Sequence, residues 1–435
     1  MNPPKLEEAI LPQTAQPAVN PLAVSPLNKG IGVLERNLSL DDIPKLGWNL
    51  LKEDLSLPAA IISAEKLDHN LKWMQAFASA YGVKLAPHGK TTMAPRLFQR
   101  QIDAGAWGIT LATAHQSRVA YEHGIRRVLM ANQLVGKQNM ATVAQMLEDA
   151  DFEFYCLIDS AENTNQLGTF FRERGLRLNV LIELGTEGGR TGVRNREQLE
   201  SALEALLHWP KTLVLSGLEI YEGVLSDERA IHSYLHKALD TARELAHAGR
   251  FQREPVILSG AGSSWYDVVA DLFRGADIGA PTEIVLRPGC YVTHDVGAYR
   301  TAQQRILAQN PVAQQMQPAL EPALQVWAYV QSIPDRDRAI VGMGKRDVAF
   351  DAGLPTPALH YRPGWPHPAT ASAAWALTRM MDQHAFLQID EGADIHVGDM
   401  IAFDISHPCL TFDKWRYICI VDSSYRVIDI VETFF

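Results

Sequence analysis

From Leu57 to Arg287 the chain alternates short apolar runs with amphipathic segments, about eight times over. That alternation constrains the fold more than any other feature of the sequence. The runs read as strands at Pro58–Ser63, Val83–Pro87, Trp107–Ala112, Val128–Ala131, Phe152–Ile158, Leu178–Leu184, Leu213–Tyr221, Val256–Ser259 and Glu283–Arg287. The segments between them repeat apolar residues at helical spacing, and several stop at a glycine, such as Gly124, Gly175 and Gly249. Strands that regularly alternate with helices lie parallel, either in an open doubly wound sheet or in a closed barrel. No G-x-G-x-x-G opens the first helix, so the pattern favours a (β/α)8 barrel.

After Thr293 the texture changes to short β-branched and aromatic runs divided by Gly, Pro and Asp. These predict strands at Leu324–Ile333, Ala339–Val341, Phe386–Ile389, Asp399–Ile405, Tyr417–Val421 and Val427–Val431. The proline-dense stretch Gly353–Ala369 reads as an irregular loop. Three regions are expected: an N-terminal extension over residues 1–45, a barrel over 46–300, and a mainly β domain over 301–435. The first residues, to about Asn28, show no period and read as a flexible or surface-laid segment.

Bulk properties exclude some classes of function. The net charge is -10 and no basic patch stands out, which disfavours nucleic acid. No apolar run is long enough to span a bilayer, and the N-terminus lacks a secretory pattern. Four scattered cysteines form no disulfide framework, so a cytoplasmic location is expected.

Chemistry-bearing residues gather just past the predicted strand ends, where a barrel opens its active site. Lys90 follows a strand in Pro87-His-Gly-Lys-Thr91, flanked by His88 and two hydroxyls. A Schiff-base lysine needs such a polar, partly desolvated setting. Arg190 sits in a glycine-rich loop after Glu183, placed to meet a cofactor ring, with Glu183 as a possible orienting group. Tyr221 ends another strand, where it suits either a contact to a cofactor ring or an exposed aromatic. Ser259-Gly-Ala-Gly-Ser263 lies between strand and helix, where backbone amides approach an anion; Ser259, Gly260, Gly262 and Ser263 are its candidates. Gly289, Cys290 and Tyr291 follow the last barrel strand and offer further phosphate contacts, although Cys290 also suits an apolar filler. His407 and Cys409 in His-Pro-Cys share a face if extended, and imidazole with thiolate suits Zn²⁺.

Together these motifs resemble fold-type III pyridoxal phosphate (PLP) enzymes, the alanine racemase-like barrel. Within that group the chain is similar to the D-serine dehydratase and D-threonine aldolase family, in particular its bacterial D-serine deaminase-like branch. The resemblance spans Leu57 to the C-terminus. It implies that Lys90 anchors PLP, that Arg190 or Tyr221 contacts the pyridine ring, and that Ser263, Gly289 and Cys290 hold the phosphate. It further implies that His407 and Cys409 bind a divalent metal (Zn, with Mn or Mg as alternatives), in a homodimer. The His/Cys pair resembles the dehydratases, and so implies β-elimination of a D-β-hydroxy amino acid such as D-serine to a keto acid and ammonia. Retro-aldol cleavage to glycine and an aldehyde is the alternative, and a non-catalytic PLP-binding protein the non-enzyme reading. Departures from the family pattern fall at Ala86, Thr92-Met93 and Glu228, close to where substrate would bind.

Overall fold

The computed structural model describes residues 23–435. Eight parallel strands form one curled sheet: Lys84–Leu85, Ile109–Leu111, Arg127–Gln133, Glu153–Ile158, Leu178–Leu184, Leu213–Ile220, Val256–Gly260 and Thr282–Leu286. Each pairs with its neighbour in sequence, and the last pairs back to the first through Leu286 and Leu85. The first two strands meet through the His88–Thr110 bridge and through the Trp107 amide, which donates to Leu85 at 2.6 Å. The barrel is therefore closed, and no edge is left unpaired.

Inward and outward positions alternate along these strands, as the pleat requires. Leu129, Tyr155, Leu157, Leu181, Ile257 and Val285 form one cluster that fills the interior. Their neighbours Val128, Met130, Phe154, Cys156, Val180 and Ile182 join the larger core beneath the helices. The first long helix, Ala64–Tyr81, starts at Ser63, whose hydroxyl accepts from the Lys66 amide, and ends at Gly82 in the left-handed region.

The strand Ala59–Ser63 corrects the sequence expectation. It does not enter the barrel; it pairs antiparallel with Leu324–Asp335 and parallel with Tyr417–Val421. Nine strand signals thus resolve into eight barrel strands and one member of the C-terminal sheet. That second sheet is mostly antiparallel and includes Leu324–Asp335, Arg338–Val341, Ala385–Gln388, Met400–Asp404 and Val427–Glu432. Three of its strands were not expected. Ala376–Met380 pairs with Ala385–Gln388, Thr356–Tyr361 lies within the proline-dense stretch, and Ala369–Thr370 pairs with Thr356–Tyr361. Pro357 falls at a register shift, where a missing N–H does not break the ladder.

The expected flexible N-terminal extension lies partly outside the described residues. From residue 23 onward it is structured. Ala23–Val24 pairs with Leu38–Ser39, and Val24, Ile31, Leu34 and Ile43 are buried with Trp327, Met400 and Tyr417 of the second sheet. This segment is thus part of the C-terminal domain's core.

Gly217 marks the tightest strand approach in the barrel. A Cβ there would stand 1.9 Å from the Ile257 carbonyl oxygen, on the backbone of the adjacent strand. The neighbour is fixed in the ladder and cannot give way. Gly217→Ala is expected to destabilise by about 2–3 kcal/mol, the upper range for core overpacking, read as a lowered midpoint in chemical denaturation.

Candidate active site

Lys90 sits in the single turn Gly89–Thr91, directly after the two-residue strand Lys84–Leu85 and the His88 bridge. The turn is held from several sides. The His88 amide donates to Pro288, and the Met93 carbonyl accepts from the Phe434 amide at the far end of the chain. Met93 adopts φ 42°, an unusual backbone state for a non-glycine residue. Ala261 and His294, beside the other two site loops, do the same at φ 71° and 50°. Such strain tends to gather at functional sites, where the surroundings enforce it.

The Lys90 side chain reaches solvent at the barrel mouth. Its flanks are nonetheless walled by protein, and that loss of solvation lowers its pKa. Arg190 and Arg287 act in the same direction, while the Cys409 and Cys290 thiols oppose them. The His88 ring is pushed well down, chiefly by burial and then by Lys90. Its Nδ1 is buried and has no partner among the described residues.

Arg190 lies over the Tyr221 ring at 4.2 Å, a cation–π contact. Glu183 does not orient it; that carboxylate accepts from Thr191 at 2.7 Å and Gln133 at 2.6 Å, and so fixes the loop backbone instead. The Tyr221 ring also borders the glycine loop, since a Cβ on Gly262 would stand 3.2 Å from it.

The glycine loop already wraps an anion of the chain itself. The Ala261 and Gly262 amides donate to the buried Glu222 carboxylate at 3.0 and 2.7 Å. The Ser263 hydroxyl accepts from the Gly289 and Cys290 amides at 3.2 and 3.1 Å, joining this loop to the one after the last strand. Gly289 is demanded by proximity: a Cβ there would stand 2.6 Å from both the His88 carbonyl oxygen and the Thr91 hydroxyl. The Lys90 turn and the loop after the last barrel strand are thus in direct contact.

Three expected contributors are engaged elsewhere. The Ser259 hydroxyl donates to Val285 within the barrel sheet. Tyr291 is buried in the main core and its hydroxyl accepts from Gln101. Gly260 belongs to its strand, and its carbonyl accepts from the Arg287 amide.

The sequence reading passed over several residues. Arg287 is fully enclosed, pairs with Glu219 and donates to the Ile220 carbonyl at 2.8 Å. Burial raises Glu219 to about 7 in spite of that cation. Glu222 was visible as an acid after Tyr221, but its amide partners lie 39 and 40 residues away. Tyr299, just inside helix Ala298–Gln309, stands by the Cys290 thiol, whose charge and burial push its phenol up.

The His-Pro-Cys motif is not extended. Pro408 is helical, and Cys409 opens the short helix Cys409–Phe412. This helix packs against the Lys90 turn. Cys409 Sγ lies 3.5 Å from the Thr91 hydroxyl and 3.7 Å from Cys290 Sγ. The Cys290 thiol, His407 and Thr91 lower the Cys409 pKa, whereas Cys290 is raised by facing Cys409 and by burial. His407 rises to about 9, through Cys409 first and then Asp351, which holds Nδ1 at 2.8 Å. Among the described residues, no group of three or more His, Cys, Asp and Glu side chains stands arranged around a metal-sized space.

Loss of Arg287 is expected to strand Glu219. In Arg287→Met the buried, unpaired carboxylate destabilises by about 3–5 kcal/mol. Its folded pKa, already above the unfolded value of about 4.3, rises further. A raised carboxylate favours folding at low pH and loses that contribution as pH climbs through the folded value. The defect, measured by urea denaturation, is therefore larger at pH 8 than at pH 6, and adding Glu219→Gln recovers part of it.

Comparison with known proteins agrees with this geometry. Residues 62–273 match the N-terminal domain of alanine racemase, and residues 323–421 match a serine dehydratase domain. The chain is similar to a D-threonine aldolase of Arthrobacter sp, 25% identical over 363 residues, covering 82% of this chain and 86% of that protein. It is also similar to a D-threo-3-hydroxyaspartate dehydratase of Delftia sp. (strain HT23), 31% identical over 139 residues, 32% of this chain and 36% of that one. The crystal structure of a D-threonine aldolase from Filomicrobium marinum superposes with a TM-score of 0.73 at 23% identity, covering 89% of this chain and 97% of that structure. The chain thus has the fold of an alanine racemase-type barrel carrying a serine dehydratase-type β domain, and is similar in sequence to D-threonine aldolase and D-threo-3-hydroxyaspartate dehydratase.

Proposed function

We propose that the protein is a PLP- and metal-dependent lyase that dehydrates and deaminates a D-β-hydroxy amino acid to a keto acid and ammonia. One observation carries this reading. Cys409, from the far end of the chain, stands 3.5 Å from Thr91, the residue after Lys90. A thiol and imidazole pair thereby stands beside the turn that carries Lys90.

The residues fit the cofactor. The unpartnered His88 Nδ1 and the linked loops around Ser263 and Gly289 offer polar groups and a narrow anion seat. A thiol beside an imidazole is a borderline-soft donor pair in residue type, while the described residues bring no third His, Cys, Asp or Glu into a metal-holding group with them. When bound, PLP supplies an electron sink for charge at Cα, and a divalent metal supplies a Lewis acid for a poor hydroxide leaving group.

The chain's own groups do the rest. Lys90 Nζ, whose charged form is disfavoured, anchors the cofactor and takes the Cα proton. Arg190 and Tyr221 form one wall against the cofactor ring. Ser263 and the Gly289 and Cys290 amides hold the phosphate end. His407 and Cys409 would hold the metal, which would supply a Lewis acid to the departing β-hydroxyl. The four cysteines are free, in keeping with action in the reducing cytoplasm, and the family resemblance supports a homodimer.

Retro-aldol cleavage is the second reading, favoured by the D-threonine aldolase similarity over most of the chain. The products separate the two. Incubation with D-serine, D-threonine and D-threo-3-hydroxyaspartate is expected to release ammonia and keto acids in amounts that match, with no glycine; glycine and aldehyde would favour the aldolase. Chelation is expected to abolish turnover while the visible absorbance of the lysine-linked cofactor persists. Lys90→Ala is expected to abolish both. Full activity after thorough chelation would overturn the metal-dependent reading.

A further inference from the structure

We infer that Cys290 and Cys409 form an oxidation-sensitive dithiol, a modification site at which hydrogen peroxide closes a reversible disulfide between the barrel and the second domain. The inference rests on the placement of the two side chains. It stands apart from the lyase reading and from any metal at His407 and Cys409.

Placement carries it. The two Sγ atoms stand 3.7 Å apart, although 119 positions separate the residues in sequence. A disulfide bond spans about 2.0 Å, so the sulfurs have to close by less than about 2 Å. Rotation between side-chain rotamers covers such a distance. Each cysteine opens a single short helical turn, Cys290–Val292 and Cys409–Phe412, and neither lies inside a strand or a long helix. Both thiols also approach the Thr91 hydroxyl, at 3.9 and 3.5 Å, and so converge on one point beside the Lys90 turn. The remaining cysteines lie elsewhere: Cys156 is packed in the main core, and Cys419 in the core beneath the N-terminal segment.

The two sulfurs differ in access, and that divides the work between them. Cys409 is partly exposed, whereas Cys290 is buried. An exposed thiol beside a second one is the arrangement in which the first meets the oxidant and the second resolves it. The Cys409 sulfur attacks one peroxide oxygen. The O–O bond breaks, the thiol proton leaves with the departing oxygen as water, and Cys409 becomes a sulfenic acid. The Cys290 sulfur then attacks the Cys409 sulfur. The S–S bond forms, the S–O bond breaks, and the Cys290 proton leaves with the hydroxyl as a second water. Two thiols are oxidised and one peroxide is reduced.

The bond would act on the candidate site. The Cys290 amide donates to Ser263, and the adjoining Gly289 rests on His88 and Thr91. A disulfide would therefore clamp the Cys409–Phe412 helix onto the loops around Lys90.

Thiol counting and peptide mapping test the inference without reference to turnover. The full chain, loaded with PLP and held in a chelator so that no metal masks the sulfurs, is treated with hydrogen peroxide and then alkylated in denaturant. The four free cysteines are expected to fall to half. One cross-linked peptide pair is expected to join Cys290 to Cys409, and dithiothreitol to return all the thiols. Cys290→Ser is expected to form no cross-link and to carry added oxygen on the Cys409 peptide instead. A full set of free thiols after peroxide overturns the inference. So does over-oxidised Cys409 in the wild type with Cys290 still free, or a disulfide that involves Cys156 or Cys419. Should Cys290→Ser fail to fold, the wild-type peptide map still decides.

Discussion

Everything at the candidate site depends on how the barrel closes. The strand that completes the ring is only two residues long, Lys84–Leu85, and the chain turns out of the sheet just beyond it. Leu85 pairs with Leu286 on one side, and His88 bridges Thr110 on the other. Lys90 comes two residues after that bridge. A slip of one residue here would turn the lysine from the mouth into the wall. The contact of Gly289 with His88 and Thr91 adds a steric lock, because the loop after the last strand rests on the turn that carries the lysine.

Around that closure the barrel mouth gathers charge where the protein is most enclosed. Glu219 and Glu183 lie at strand ends, Glu222 opens the short turn after one, and all three are buried. Each has a separate compensation. Arg287 faces Glu219, two backbone amides face Glu222, and Thr191 and Gln133 face Glu183. Buried carboxylates of this kind are tolerated only when paired or hydrogen-bonded. They shape the loops that carry Arg190, Tyr221 and Ser263.

The C-terminal domain completes the pocket from outside the barrel. It reaches the site through the Cys409–Phe412 helix and through the last residues of the chain, where Phe434 bonds to Met93. Ala59–Ser63 strengthens the join. It lies in the second sheet, yet its two faces serve different cores: Ala60 and Ile62 pack into the main one, and Ile61 into the one beneath the N-terminal segment. The chain therefore threads the β domain before it builds the barrel, which ties the two parts together at both ends.

The sequence by itself determined the alternation, the barrel and the β-rich second region, because hydrophobic period is a local property that each segment displays alone. It also marked Lys90, Arg190, Tyr221, the glycine loop and His407–Cys409, since unusual residue types beside predicted strand ends stand out without a partner in view. It did not reveal the sheet to which Ala59–Ser63 belongs. A short strand buried on both faces has the same apolar composition in a barrel as in a covered antiparallel sheet. Nor did it reveal the strand at Thr356–Tyr361, where proline at a register shift mimics a loop. Pairings across long separations were likewise hidden. Glu219 and Arg287 are 68 residues apart, and Cys290 and Cys409 are 119 apart. No local pattern encodes such a meeting; only the ring of strands, and the second domain folded against its mouth, brings those side chains within reach.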